Sequence, residues 1–121
     1  MTWSSVLLVG FGSALGTLGR YSLSQWIGKL NHSEFPWGTW LVNIFGTFLL
    51  GVLFSIFAQK KPESVWWLFF GTGFCGAFTT FSTFSVETIR LFQSRLILGV
   101  IYLGSSISLG LFAAWVTQLW L

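Results

Sequence analysis

The chain has 121 residues, of which 54% are hydrophobic and only 7% charged, with a formal net charge of +3. A soluble domain is typically about a quarter charged, so this composition excludes a water-soluble globular fold. The single cysteine, Cys75, sits in an apolar stretch; one thiol excludes an internal disulfide or a cysteine-built metal site and reads as a small buried hydrophobe.

The charged residues are Arg20, Lys29, Glu34, Lys60, Lys61, Glu63, Glu87, Arg90 and Arg95. They divide the chain into four charge-free stretches, 1–19, 35–59, 64–86 and 96–121, each near or above the roughly 20 residues that cross a bilayer. The pattern predicts an all-α membrane protein, one domain over 1–121, with four transmembrane helices at about 3–26, 36–58, 64–91 and 95–121.

The first stretch has no basic leader and no small-residue cleavage site before it, so it reads as a retained span. Its helix is expected to continue through Arg20, whose long side chain can snorkel to the interface. Gly12 and Gly16 form a GxxxG pair with Gly19 nearby, the kind of small-residue face on which membrane helices approach closely. Trp3 and Trp26 flank this span, Trp37 and Trp40 open the second, Trp66 and Trp67 open the third, and Trp115 and Trp120 close the fourth. Indole rings prefer the membrane–water interface.

The second span begins after Pro36, a residue suited to a first helical turn, and carries Asn43 inside the apolar run. A buried amide needs partners: it is either glue between helices or part of a polar path. The third span, preceded by Pro62, holds the densest polar cluster: Thr79, Thr80, Ser82, Thr83 and Ser85, interleaved with Phe81 and Phe84 and preceded by Gly73 and Gly76. Hydroxyl side chains compete for backbone hydrogen bonds, so the third helix is expected to break here. Non-helical backbone at membrane depth survives only inside protein or along a water-filled cavity, and freed carbonyls there suit a cation. If the chain after Thr80 is helical, Thr80, Thr83 and Glu87 share one face, with Phe81 and Phe84 on the next. In the fourth span Tyr102, Ser105, Ser106 and Ser108 add hydroxyls. His32, in the first loop, has no companion ligand and reads as solvated.

Orientation is nearly undetermined by charge. Lys60 and Lys61 lie on the face with both chain ends; Lys29 and Arg95, with Arg20 and Arg90 at helix ends, lie on the other. Positive residues in short loops set topology, and so weak a bias permits insertion both ways.

The run Gly73-Phe74-Cys75-Gly76-Ala77-Phe78-Thr79-Thr80-Phe81-Ser82-Thr83-Phe84-Ser85 resembles the signature of the Fluc fluoride channels, also called the CrcB family. Pro36-Trp37-Gly38-Thr39-Trp40-Leu41-Val42-Asn43 and the first span ending Gly19-Arg20-Tyr21 are similar to it as well. The resemblance spans the chain. It implies a passive channel, not an enzyme, that lets fluoride leave the cytoplasm across the bacterial inner membrane. It further implies a dual-topology homodimer of two antiparallel subunits in the lipid bilayer, with no nucleic-acid partner. A structural sodium ion is implied on the dimer axis, held by backbone carbonyls of Gly76 and Thr79. Two pores are implied, lined by Phe81, Phe84 and Asn43, with a polar track through Ser82, Thr83, Tyr102 and Ser106 towards Glu87, and Arg20 in an aqueous vestibule. Gly110 stands where some relatives carry a second serine on the fourth helix, which leaves the far end of the track open.

Two other classes were weighed. A small multidrug exporter of similar size needs a carboxylate in its first span, and this first span has none. A non-transporting assembly subunit leaves the hydroxyl–phenylalanine run without a purpose. No nucleophile–base pair or metal-ligand cluster suggests catalysis.

Overall fold

The computed structural model describes residues 2–120; Met1 and Leu121, which end the expected domain and close the fourth span, lie outside the described residues. The elements are α1 (Trp3–Leu30), α2 (Trp37–Ala58), α3 (65–78), α4 (Ser82–Ser94) and α5 (Leu96–Trp120), with no strand among the described residues. Three helices, α1, α2 and α5, are each long and apolar enough to cross a membrane. The expected third span is present as two shorter helices, α3 and α4, neither of which reaches the roughly 20 residues of a full crossing by itself.

α1 begins where Thr2 accepts the Ser5 N–H at 3.1 Å, a hydroxyl cap for otherwise unpaired donors. It runs 28 residues, about 42 Å at 1.5 Å per residue, and so outlasts the span end expected near residue 26. α2 follows Pro36 and finishes in a wide π turn at Phe54–Ala58. Only Arg95 separates α4 from α5, and Gly99 makes room there for the Phe92 ring. Several tryptophans at helix ends, including Trp3, Trp26, Trp66, Trp115 and Trp120, are exposed, as side chains in the interfacial belt should be.

Packing follows the small residues. Gly12 and Gly16 are buried where α1 crosses α3, and a Cβ on either would strike the backbone carbonyl of Phe69 or Phe74. Ser13 adds a hydroxyl bond to the Gly73 carbonyl at 3.3 Å. α2 and α5 lie side by side and run parallel: Trp40 Nε1 donates to Ser105 Oγ at 2.9 Å near one end, and Gly51 meets Thr117 near the other. Phe35, Trp37, Trp40 and Tyr102 form an edge-to-face aromatic cluster around the α2 start.

The glycines of the third segment lie just before the break, as expected. Trp67–Cys75 forms wide π turns, with the Gly76 N–H reaching back to the Gly71 carbonyl, and the helix then continues through Gly76–Phe78. Gly73 lies against Val9 and Gly12 of α1 and Gly71 under the Trp67 ring of its own helix, and neither ends α3. The chain leaves the helix three residues later, at Thr79 (φ −84°, ψ 157°).

Candidate functional site

The break falls at Thr79–Phe81, inside the hydroxyl-rich run. Thr79 turns its hydroxyl back to the Cys75 carbonyl at 3.0 Å, so the side chain satisfies part of the α3 terminus. Thr80 Oγ1 accepts the Thr83 N–H at 3.2 Å and caps the start of α4 from just upstream. Downstream, Ser85 donates to the Phe81 carbonyl at 2.8 Å and Thr88 to the Phe84 carbonyl at 2.7 Å.

Two side chains from other helices grip the freed backbone. Asn43 on α2 pairs with Thr80 twice: Nδ2 donates to the Thr80 carbonyl at 2.9 Å, and Oδ1 accepts the Thr80 N–H at 2.8 Å. Arg20 on α1 donates from Nε to the Ala77 carbonyl at 3.1 Å, at the C-terminal end of α3, where a cation is favoured by the helix dipole. Arg20, expected in an aqueous vestibule, is therefore half-buried against the break. The carbonyls of Gly76 and Thr79 receive no hydrogen bond among the described residues, because the Thr80 and Thr83 N–H groups that a continuous helix would offer them are taken by side chains.

Beside the break lies a cleft of about 250 Å³ lined by Asn43, Thr47, Thr79, Thr80, Phe81, Phe84, Ser106 and Ile107. By the α-helical rise, Asn43 and Thr47 stand roughly 9 and 15 Å along α2 from its start, which puts the cleft near the middle of the membrane. Ser106 Oγ is buried and has no hydrogen-bond partner among the described residues. Phe81 is 80% exposed on the single chain, while the Phe84 ring lies 5.2 Å from that of Tyr102 and 6.3 Å from that of Phe81.

Of the residues singled out from the sequence, Asn43, Thr79, Phe81, Phe84 and Ser106 come together in this cleft. Ser82 and Thr83 are not among its lining residues; both are exposed on the single chain, and the Ser82 hydroxyl lies 3.4 Å from that of Thr80. Tyr102 is fully buried behind Phe84, and its hydroxyl donates to Glu87 Oε1 at 3.2 Å. Glu87 opens on a polar mouth of about 370 Å³ shared with Ser24, Asn31, Ser33, Glu34 and Thr39. Gly76 is exposed at the break. Phe78 is buried on Phe74 and Phe45, away from the cleft. Thr80, placed by spacing on one face with Thr83 and Glu87, also lines the cleft. Sequence reasoning missed Thr39 and Thr47, though the signal was present: Thr39, Asn43 and Thr47 recur every four residues, which stacks them on one helix face. Among the described residues there is no group of three or more His, Cys, Asp or Glu.

Three long apolar helices agree with what sequence comparison finds. Residues 7–118 match the family model described as CrcB-like protein, Camphor Resistance (CrcB). A relative in Acidobacterium capsulatum, named fluoride-specific ion channel FluC, is 42% identical over 90% of this chain and 89% of its own length. Proteins bearing that name in Rhizobium johnstonii (44%, 88% and 87%) and, as FluC 1, in Listeria monocytogenes (44%, 89% and 89%) are similar to the same degree. The chain is a multi-pass membrane protein and belongs to the CrcB family.

Proposed function

We propose that this protein is a passive fluoride channel of the bacterial inner membrane, exporting fluoride from the cytoplasm. The observation that carries the reading is the mid-membrane cleft, where the unpartnered hydroxyl of Ser106 and the amide of Asn43 stand beside the Phe81 and Phe84 rings. Fluoride is small, strongly hydrated and a strong acceptor, so hydroxyl and amide donors can replace its water. Phenyl edges carry partial positive charge and touch the ion without holding it. Conduction needs entry that is favourable and exit that is easy, and a few neutral donors with two ring edges meet that condition better than a fixed positive charge would.

The working unit is an antiparallel homodimer with two pores. Support comes from the nearly balanced loop charges and from Phe81, whose bare ring at the cleft edge leaves the lining incomplete on one chain. A structural sodium ion fits the break. Gly76 and Thr79 offer carbonyls that no donor reaches, and they offer them without carboxylates, a set better suited to a monovalent ion than to a divalent one. Bound between copies of these carbonyls, sodium would supply positive charge and fill their empty acceptor positions.

Efflux of fluoride from liposomes holding the purified protein tests the reading, with loop labelling at Lys60 from each side of the membrane reporting on topology. Phe81→Ile and Phe84→Met keep apolar volume, a change that costs packing under about 1.5 kcal/mol, and remove the ring edge. Efflux is expected to drop sharply in each while the protein stays folded, and to be unaffected by Phe78→Leu. Wild-type efflux in the Phe81 and Phe84 variants would make these rings ordinary packing.

A further inference from the structure

We infer that the groove between α1 and α2, on the side of α2 away from the break, is a phospholipid site that takes one acyl chain along its apolar floor and the lipid phosphate at Lys29. The groove holds about 650 Å³ and is lined by Leu23, Trp26 and Leu30 of α1 and by Trp37, Leu41 and Phe45 of α2. It is present whether or not the chain conducts fluoride, so the site is independent of the channel reading above.

The break in the third span makes the groove. Gly12, Gly16 and Gly19 press one face of α1 onto α3: a Cβ on the first two would strike the backbone of Phe69 or Phe74, and one on Gly19 would touch the Phe74 and Phe78 rings. Steps of three and four residues carry the same face on to Leu23, Trp26 and Leu30. α3 ends at Phe78, so this stretch of the face has lost its neighbour, and its side chains change from small to large. On α2, Trp37, Leu41 and Phe45 recur every four residues. Leu41 and Phe45 each stand two residues from Asn43, about half a turn of helix away, whereas Asn43 lines the cleft at the break. A copy of the chain that covers Phe81 therefore leaves the groove open to the bilayer.

Depth and charge select the occupant. Phe45 lies just over two helical turns in from Trp37, about 12 Å by the helical rise, which is most of one leaflet's half of a hydrocarbon core about 30 Å thick. Trp26 and Trp37 mark the outer end, the level at which indole rings meet lipid headgroups. Lys29, exposed in the last turn of α1, stands at that same end, and a lysine at the membrane surface attracts anionic lipid. Asn31, on the groove rim, accepts the Ser33 N–H on Oδ1 at 3.1 Å, which leaves its Nδ2 hydrogens for a phosphate oxygen. Glu34 opens instead on the polar mouth with Glu87. At the inner end the acyl chain meets Phe45, whose ring lies edge-on to that of Phe78 at 6.3 Å. Phe78 is the last helical residue before the break, so a filled groove braces the break from behind.

Photocrosslinking of the protein in a nonionic detergent, with palmitoyl-oleoyl-phosphatidylglycerol added in small excess, tests the site. A benzophenone amino acid introduced at Leu41 should add one lipid to the chain on irradiation, about fivefold more than the same amino acid introduced at Leu111, a more exposed position on α5. Equal addition at the two positions makes the groove ordinary boundary lipid, and chains joined to each other through Leu41 put a second copy there; either result overturns the inference. Palmitoyl-oleoyl-glycerol has the same chains without the phosphate and should add about fivefold less than the phospholipid. Lys29→Gln should lower addition of the phospholipid by about the same factor, the worth of one lysine at a charged lipid surface. Undiminished addition in either case refutes phosphate recognition at Lys29. Without any crosslinker, the phospholipid should raise the melting temperature of the wild-type protein more than that of Lys29→Gln, because a ligand of the folded state stabilises it by mass action. Equal shifts in the two proteins count against the site.

Discussion

The α2–α5 seam has two halves built from the same periodic material, and they behave in opposite ways. On α2 the stripe is Thr39, Asn43, Thr47, Gly51 and Ser55; on α5 it is Tyr102, Ser106, Gly110, Ala114 and Gln118. Both repeat every four residues, so successive members of each stripe lie next to one another along the helix. Around Asn43 and Ser106 the seam is open, with a cleft and a hydroxyl that no protein group satisfies. Around Gly51 the polar groups close on one another, beside a cleft of about 340 Å³ lined mainly by apolar side chains such as Leu50, Phe54, Trp67 and Ala114. Thr117 packs onto the Gly51 backbone, and Gln118 Nε2 donates to the Gly51 carbonyl and to Ser55 Oγ, both at 3.1 Å. Thr117 Oγ1 donates back to the Ala114 carbonyl at 2.7 Å. Polarity therefore does not mark a path by itself. What separates the halves is whether the polar groups are already spent on each other.

The two amides show this most clearly. Asn43 has a donor left over, whereas Gln118 directs its nitrogen inward at α2. An anion finds a partner at the first and none at the second. On the proposed channel reading, the fluoride route follows the half around Asn43 and Ser106 and is not continued by Gln118.

Three substitutions test the contrast. The largest effect is expected for Gly51→Val in the closed half, where a Cβ has no space against Thr117. Overpacking of this kind costs about 1–3 kcal/mol, and thermal unfolding in detergent should show the loss; an unchanged melting temperature would mean the halves are equally loose. Next is Ser106→Ala in the open half. It removes a hydroxyl without a partner, so stability should hold or rise slightly, while fluoride efflux falls about tenfold for one lost donor. A stability loss with normal efflux would reassign Ser106 to packing. The smallest effect is expected for Gln118→Leu. Interhelical hydrogen bonds in membranes are worth about 0.6 kcal/mol each, so a slight drop in melting temperature should accompany wild-type efflux. Strongly reduced efflux in that variant would extend the route into the closed half.

The place where the third span fails as a helix was legible in the sequence, because five hydroxyls in seven residues compete locally with the helix. The exit at Thr79 falls within that expected stretch, between Phe78 and Phe81. The wide π turns at Trp67–Cys75 just before it were not announced by the sequence. The family resemblance placed Ser82 and Thr83 on the ion track. Both are exposed on the single chain, and their direction depends on the rotation of α4 after the break, which nothing in the local sequence sets.

Composition and periodicity alone determined that this chain lives in a membrane, where its helices lie, and that residues 79–85 are exceptional, because bilayer thickness and helix pitch act on every sequence in the same way. Tertiary structure decided which polar groups remain available. Asn43 reaches Thr80 across 37 positions of sequence, Arg20 reaches Ala77 across 57, and Gln118 reaches Gly51 across 67. A hydrogen bond is a pairing of two groups, so whether a donor is free for an ion depends on a partner that only the folded chain brings near.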